Sequence, residues 1–146
     1  MKIAIASDHA AYELKKILID WLKSKGYEII DFGTNSNESV DYPDYAYKAA
    51  NAVSKQNVDF GIIMCGSGIG MSIVCNKIKG IRAALCCNTV MAELARKHNN
   101  ANVLNLGARL IKPQTAKKIV NTFLNTNFEA GRHQRRVEKI HKLTKK

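Results

Sequence analysis

A cysteine opens a glycine-rich loop directly after an apolar run in the middle of the chain. The stretch IIMCGSGIGMS places Cys65 before Gly66, Gly68 and Gly70. Glycines let backbone amides approach an anion at a helix start, and such amides also favour a thiolate. The loop is not a P-loop, because no Gly-Lys-Ser/Thr follows it. Two interpretations stay open: a proton-abstracting thiolate beside an oxyanion cradle, and a tight turn with an inert buried thiol.

A carboxylate and an imidazole stand side by side where the first apolar run ends. Asp8 and His9 follow the segment KIAIAS, at the carboxyl end of a predicted strand. An aspartate beside a histidine can shuttle a proton or hold a polar ligand there. The residues alone equally allow a structural role, in which Asp8 caps the following helix and His9 faces solvent.

Two arginines and a His-Asn pair in the second half of the chain are further candidates for ligand binding. Arg132 and Arg136 are four residues apart, so a helix would present both on one face, where they could hold a phosphate by charge-assisted hydrogen bonds. The same spacing is typical of a solvated basic helix. His98 and Asn99 end a predicted helix, where a histidine often only caps the last carbonyls.

The composition predicts one soluble domain over residues 1–146. The chain has 46% hydrophobic and 24% charged residues, and this length can bury a core without disulfides. We expect no secretory signal and no membrane span, since no run approaches about 18 apolar residues. The four cysteines lack C-x-x-C spacing, which favours a reducing cytoplasm. Three of them are assigned to packing: Cys75, Cys86 and Cys87.

Excess positive charge is concentrated at the C-terminus. Residues 132–146 hold seven Lys or Arg residues and one Glu, and so account for six of the eleven net positive charges. No aromatic residue accompanies them to stack on bases, which argues against nucleic-acid binding. We therefore predict a solvated basic C-terminal helix and tail, in which His133 and His141 also face solvent.

Strand-like and helix-like segments alternate along the chain. Short runs rich in apolar and β-branched residues predict five strands, at 2–7, 27–33, 58–65, 81–87 and 101–107. Segments with helical spacing separate them, and Pro43 and Pro113 stand at first helical positions. This alternation predicts an α/β fold, a single Rossmann-like or flavodoxin-like domain. It would have a five-stranded parallel sheet, helices on both faces and an extra C-terminal helix.

The candidate residues should divide between the two edges of this sheet. If the strand order is 2-1-3-4-5, the switch point between strands 1 and 3 brings Asp8 and His9 to the loop after Cys65. Helices run back towards the opposite edge, so His98 and Asn99 should lie about 17 Å from Cys65, the length of roughly five strand residues at 3.3 Å each.

Six segments follow one another in a fixed order: SDHA, DYPDYA, CGSGIGMSI, NKIKGIRAAL, HNNANVLNLGAR and GRHQRRVEKI. In order and spacing they resemble the type B ribose-5-phosphate isomerases, whose sugar-phosphate isomerase family also includes galactose-6-phosphate isomerase. The resemblance extends from residue 3 to about residue 140. It implies an enzyme of the pentose phosphate pathway that interconverts ribose 5-phosphate and ribulose 5-phosphate without metal or cofactor. It also implies a homodimer or homotetramer.

The resemblance assigns the proton transfer to the glycine loop. Cys65 resembles the base that moves a proton between C1 and C2 of the sugar. Ser67, where many relatives carry Thr, resembles the hydroxyl that helps to hold the enediolate. The backbone amides of the loop resemble the other groups that hold the enediolate, and they belong to Gly66, Gly68, Ile69 and Gly70.

The remaining roles implied by the resemblance are ring opening and phosphate binding. Asp8 and His98 resemble the groups that open the furanose ring, with Asn99 beside them. The residues that resemble the phosphate ligands are His9, Arg109, Arg132 and Arg136. If His98 has this role, its predicted distance from Cys65 requires a neighbouring subunit to supply it, so that active sites are shared across a two-fold axis.

Three alternatives to this function remain at the level of sequence. Within the family, the chain could be a hexose-6-phosphate isomerase of the allose or galactose type. A nucleotide-binding or phosphate-sensing module would bind a ligand and convert nothing. A nucleic-acid binder would act through the basic tail, with an affinity that falls steeply as salt rises.

Overall fold

A parallel β-sheet with helices on both faces organises the chain, and a computed structural model describes residues 1–145. The strands are β1 (Lys2–Ser7), β2 (Glu28–Asp31), β3 (Phe60–Cys65), β4 (Ala83–Leu85) and β5 (Val103–Gly107). The α-helices are α1 (Tyr12–Ser24), α2 (Tyr42–Ser54), α3 (Ile69–Cys75), α4 (Thr89–Asn99), α5 (Pro113–Asn125) and α6 (Arg132–Thr144). A 3₁₀ turn (His9–Ala11) precedes α1. Lys146, the last residue of the predicted basic tail, lies outside the described residues.

The strand order is β2-β1-β3-β5-β4, with every neighbouring pair parallel. This confirms the predicted fold class, but the expected order is wrong in its last two strands. All five residues of β5 are buried, whereas each of the three residues of β4 is partly exposed. The longer strand, which is apolar except for Asn105, therefore takes the interior position, and the short strand takes the edge.

Side chains of the central strands alternate between two apolar layers. Ile3 and Ile5 of β1 pack with residues of α1, α4 and α5 on one face of the sheet. Ala4 and Ala6 pack with α2 and α3 on the other face. Cys65 ends β3 on that second face, so the strand period itself directs its side chain towards the start of α3.

Backbone register brings the ends of β1, β3 and β5 to one edge of the sheet. Ser7 pairs with Met64, and Cys65 pairs with Gly107. Because β5 is the direct neighbour of β3, the residues after Gly107 lie beside the glycine loop. With β4 in that place, as expected from the sequence, Arg109 would have been one strand farther away.

The basic C-terminal segment forms α6, but its histidines are not solvated as predicted. His133 is 6% exposed, and Val137, one turn later on the same face, is also buried. His141 is partly buried, and its Nε2 lies 2.9 Å from the donor Nη1 of Arg82. Among the helices of residues 1–145, none combines the length and apolar character needed to cross a membrane.

Candidate active site

The carboxyl ends of β1, β3 and β5 border a cavity of about 270 Å³, here called the carboxyl-edge pocket. Its lining consists of Asp8, His9, Ala10, Tyr42, Cys65, Gly66, Ser67, Gly70 and Arg109. The structure therefore brings together the segments that the sequence predicted to meet after strands 1 and 3. Tyr42 also lines the pocket but was not among the site residues predicted from the sequence, although it lies in the segment DYPDYA.

The Cys65 thiol lies beside a backbone donor. Its Sγ accepts a hydrogen bond from the Gly68 amide at 3.1 Å, an arrangement that stabilises negative charge on sulfur. Gly68 has a φ of +77°, and a Cβ at this position would lie 2.9 Å from the carbonyl carbon of Leu106. Only glycine can therefore turn the chain here and aim its amide at the thiol.

The rest of the loop shapes the pocket wall. The Ser67 hydroxyl accepts a hydrogen bond from the Ile69 amide at 3.2 Å. The Ile69 side chain itself is 53% exposed, so this residue acts on the pocket through its backbone. A Cβ on Gly70 would lie 2.7 Å from the Tyr42 ring, which shows that Tyr42 packs directly against the first turn of α3.

Asp8 has both of the roles that the sequence left open. Its Oδ1 accepts a hydrogen bond from the Ala11 amide at 3.2 Å and so caps the 3₁₀ turn, while the residue also lines the pocket. His9 Nδ1 accepts a hydrogen bond from the Val40 amide at 3.2 Å. An imidazole that accepts at Nδ1 carries its proton on Nε2. His9 can therefore donate to a ligand through Nε2.

A buried ion pair supports this side of the pocket. Lys15 is 1% exposed, and its Nζ lies 2.6 and 2.7 Å from the two Asp31 carboxylate oxygens and 2.6 Å from the Thr34 carbonyl oxygen. The Thr34 amide donates to the Ser7 carbonyl at 2.7 Å. The loop after β2 is thus fastened to the end of β1, directly before Asp8.

Sequence reasoning missed Lys15, although its spacing contains a signal. On α1 it lies three residues before Leu18 and seven before Leu22, which are both completely buried. A lysine on the apolar stripe of an amphipathic helix needs a charged or carbonyl partner inside the protein.

Arg109 places a cation at the rim of the pocket. Its amide donates to the Gly66 carbonyl at 3.0 Å, so the backbone after β5 is joined to the glycine loop. A Cβ on Gly66 would lie 3.1 Å from Nη1 of Arg109, which means that the guanidinium packs over this glycine. The side chain is otherwise exposed, and it can approach an anionic group of a ligand.

Four predicted residues at the end of α4 and the start of α6 do not line this pocket: His98, Asn99, Arg132 and Arg136. Together with Glu129 and His133 they form a group here called the helix-end cluster. The His98 ring stacks on the His133 ring, with centroids 4.2 Å apart and planes at 10°. Burial, followed by the nearby charges of His98, Arg132 and Arg136, lowers the pKa of His133 from its ordinary value of 6.5.

Helix capping explains the place of His98 and Asn99. Asn88 caps the start of α4, because its Oδ1 accepts a hydrogen bond from the Met91 amide at 2.9 Å. Asn100 caps the end of the helix in a left-handed conformation with φ 46°. The last turn of the helix therefore includes His98 and Asn99, as the sequence predicted. Arg82 Nε donates to the carbonyls of Asn99 and Asn100 at 3.1 and 2.9 Å, which satisfies the last turn.

A second, larger cavity of about 410 Å³ lies beside the edge strand β4. Its walls are mainly apolar side chains of β4, the segment before β4, α4 and α6, and its polar members are Asn76, Arg82, Asn99, His141 and Thr144. The residues that line this cavity include neither a cysteine nor a glycine-rich loop that could bind an anion. The smaller carboxyl-edge pocket, which has both, is therefore the candidate active site.

Comparisons with known proteins agree with this geometry. A family model described as Ribose/Galactose Isomerase matches residues 3–140. Ribose-5-phosphate isomerase B of Escherichia coli (strain K12) is 47% identical over 139 residues, which cover 95% of this chain and 93% of that protein. The structure of Clostridium thermocellum ribose-5-phosphate isomerase B has a TM-score of 0.98 and 52% identity, and covers 99% of this chain and 98% of that one.

One solved relative contains a ligand. Ribose-5-phosphate isomerase B from Mycoplasma genitalium, with bound ribulose-5-phosphate, is 46% identical to this chain with a TM-score of 0.96. The match covers 99% of this chain and 97% of that one.

Proposed function

This chain belongs to the ribose/galactose isomerase family, and on that basis we propose that it interconverts ribose 5-phosphate and ribulose 5-phosphate as an aldose-ketose isomerase. The observation that carries the proposal is the position of the Cys65 thiol. Its sulfur accepts a hydrogen bond from the Gly68 amide at 3.1 Å, in the pocket that Asp8 also lines. The Mycoplasma genitalium relative binds one of these two sugars.

Cys65 acts as the base in the proton transfer. Its thiolate takes the proton from C2 of the open-chain aldose, and the electron pair of that C–H bond forms the C1–C2 double bond of an enediolate. The same sulfur returns the proton to C1, the proton of the C2 hydroxyl passes to the C1 oxygen, and the C2 oxygen becomes the ketone. No external oxidant is needed, because C2 is oxidised as C1 is reduced.

The loop divides its donors between the base and the sugar. The Gly68 amide is hydrogen-bonded to Cys65, and the Ile69 amide is hydrogen-bonded to the Ser67 hydroxyl. We therefore assign the enediolate oxygen chiefly to the Ser67 hydroxyl and to the amides of Gly66 and Gly70, two glycines that line the pocket. The Gly68 amide instead stabilises the thiolate.

Ring opening needs a base for the anomeric hydroxyl and an acid for the ring oxygen. Asp8 supplies one of these groups from the pocket wall, and His98 supplies the other. On the pocket side, the phosphate is held by Nε2 of His9 and by Arg109. On the far side it is held by Arg132 and Arg136, so each substrate contacts both the pocket and the helix-end cluster.

A second copy of the chain provides the helix-end cluster to each pocket in this proposal. His98, Arg132 and Arg136 are exposed or partly exposed, and none of them lines the pocket of their own chain. Large apolar side chains are also exposed on α3 and α4, among them Ile73, Val90 and Leu94. Such a surface suits a subunit interface. A two-fold axis would create two equivalent shared sites per dimer.

The direct test is a coupled assay for the conversion of ribose 5-phosphate to ribulose 5-phosphate. We expect turnover by protein treated with a chelator, because the proton transfer and charge stabilisation come from protein groups. Activity that disappears on chelation and returns with one divalent ion would refute the metal-free mechanism. Binding of the sugar phosphate without conversion would instead indicate a phosphate-sensing module.

The free cysteines suit a cytoplasmic enzyme.

A hexose-6-phosphate isomerase is the second candidate, because the matching family model covers both ribose and galactose isomerases. The same assay with allose 6-phosphate and galactose 6-phosphate separates the two functions. We expect kcat/KM to be highest for ribose 5-phosphate. A higher value for either hexose phosphate would replace the proposed substrate but would leave the role of Cys65 in place.

A further inference from the structure

Two histidines and a glutamate of the helix-end cluster lie close to one another. Oε2 of Glu129 lies 3.8 Å from Nε2 of His98 and 3.8 Å from Nε2 of His133. The ligand atoms of the three residues all lie within 4.8 Å of one another. At 3.8 Å these contacts are too long for hydrogen bonds, so they do not by themselves explain why the three groups face each other.

The size of this triangle fits a transition-metal ion. A point equidistant from the three atoms lies within about 2.5 Å of each, and zinc bonds to imidazole nitrogen and carboxylate oxygen are roughly 2.0–2.2 Å long. Three coordination bonds would need a contraction of a few tenths of an ångström together with a turn of the His98 ring, which is stacked on His133. Water or another ligand would fill the open fourth position.

The scaffold holds two ligands and lets the third adjust. His133 is fixed by burial in the first turn of α6, and the Glu129 amide donates to the Lys97 carbonyl at 3.1 Å, which ties its loop to the end of α4. Both rings cannot point their lone pairs at one ion while they are stacked. The His98 side chain is 39% exposed, so its ring is free to turn out of the stack towards the ion.

The surroundings select the kind of ion. Lys97 Nζ lies 3.9 Å from Oε1 of Glu129, and Arg132 and Arg136 are nearby charges for His133. This positive environment disfavours magnesium and calcium, which need several oxygen ligands. Ions that bind imidazole strongly, such as zinc, retain an advantage because two of the three ligands are nitrogen atoms.

We propose that His98, Glu129 and His133 form a binding site for zinc or a similar transition-metal ion, and that this ion inhibits the protein. Coordination occupies the lone pair of His98 Nε2, which the ring-opening step requires. The metal site stands on geometry alone, and only its inhibitory effect rests on the proposed function.

Calorimetric titration of the full chain with zinc chloride tests the site. Cys87 is the exposed cysteine, so the titration is performed in a Cys87→Ser background to remove a competing thiol. We expect one zinc ion to bind per chain, and Glu129→Gln and His133→Gln each to weaken binding by roughly tenfold or more. Glu138→Gln is the matched control, since it removes an equivalent exposed carboxylate of α6 and should leave zinc affinity unchanged.

Equal zinc affinity in Glu129→Gln and Glu138→Gln, or no binding in the background protein, would overturn the site. If His133→Gln does not fold, the partly exposed Glu129 still decides the question. Zinc should also inhibit isomerisation, with recovery on chelation and weaker inhibition of Glu129→Gln. Binding without inhibition would overturn the regulatory role. A protein without isomerase activity could still bind zinc, so the titration separates this inference from the proposed function.

Discussion

The carboxyl-edge pocket and the helix-end cluster are held in place by different parts of the molecule. In the pocket, the carbonyls of Cys65 and Gly66 accept hydrogen bonds from the amides of Ala108 and Arg109 at 2.9 and 3.0 Å. The paired strand ends therefore hold the reactive residues in position. In the cluster, the side chains lie at helix termini and contact one another mainly through the stack of His98 on His133. The pocket is built by the sheet, and the cluster depends on where helices end.

This difference indicates how the work of the site is divided. A proton-transferring base needs a fixed position relative to carbon, and buried backbone supplies it. Phosphate and ring-opening groups can come from a more exposed surface, where a second subunit can deliver them. Pocket substitutions should therefore affect turnover or folding, whereas substitutions of the cluster arginines should affect substrate affinity.

The largest expected effect is that of Cys65→Ala. Removal of the base should lower kcat by at least about 10²–10⁴-fold, the range attributed to general acid-base groups. The affinity for a sugar phosphate should change little, because the loss occurs in the transition state. Steady-state kinetics and ligand titration measure the two quantities. Near-normal turnover would show that the pocket does not contain the base.

Lys15→Met tests whether the pocket depends on buried scaffolding. It leaves Asp31 without its partner and should lower the free energy of unfolding by roughly 1–3 kcal/mol, the range for a lost charged hydrogen bond. This is less than for a fully buried pair, because the Asp31 side chain is 35% exposed. The matched control is Lys16→Met, since the neighbouring Lys16 is exposed. Urea unfolding should separate the two variants clearly, and similar midpoints would mean that the ion pair contributes little.

Arg132→Ala and Arg136→Ala test the phosphate role of the cluster. Each should weaken sugar-phosphate binding by roughly 1.5–3 kcal/mol, the value of a hydrogen bond to a charged group. Lys139→Ala, another exposed cation of α6, is the control and should retain normal affinity. If all three variants lose affinity equally, the helix acts through diffuse charge, and a nucleic-acid role regains support.

The smallest expected effect is that of His133→Gln on the pH dependence of stability. The pKa of His133 is lowered mainly by burial, so around and below pH 6.5 the unfolded chain binds more protons at this position than the folded chain does. Its contribution to stability is present above the unfolded pKa of about 6.5 and is lost as pH falls towards the folded value. The thermal midpoint should therefore decrease less between about pH 7.5 and 5.5 in His133→Gln than in wild type. An unchanged slope would contradict this assignment.

Local sequence signals predicted the pocket better than the cluster. Asp8 directly follows β1 and the glycine loop directly follows the last residue of β3, so strand periodicity was sufficient to place each of them at the carboxyl edge of the sheet. The exchange of β4 and β5 depends on competition between strands for the buried position. The burial of Lys15 and His133 depends on partners far away in sequence, Asp31 and His98, which no local pattern identifies.

The central claim is that each active site combines the pocket of one chain with the helix-end cluster of another. It is tested by mixing Cys65→Ala and His98→Asn subunits after dissociation and reassociation. Under the shared-site arrangement, mixed dimers contain one site with both defects and one intact site, so random reassortment should restore about a quarter of wild-type activity. No recovery, with subunit exchange verified independently, would place both residues in one site of the same chain and contradict the account.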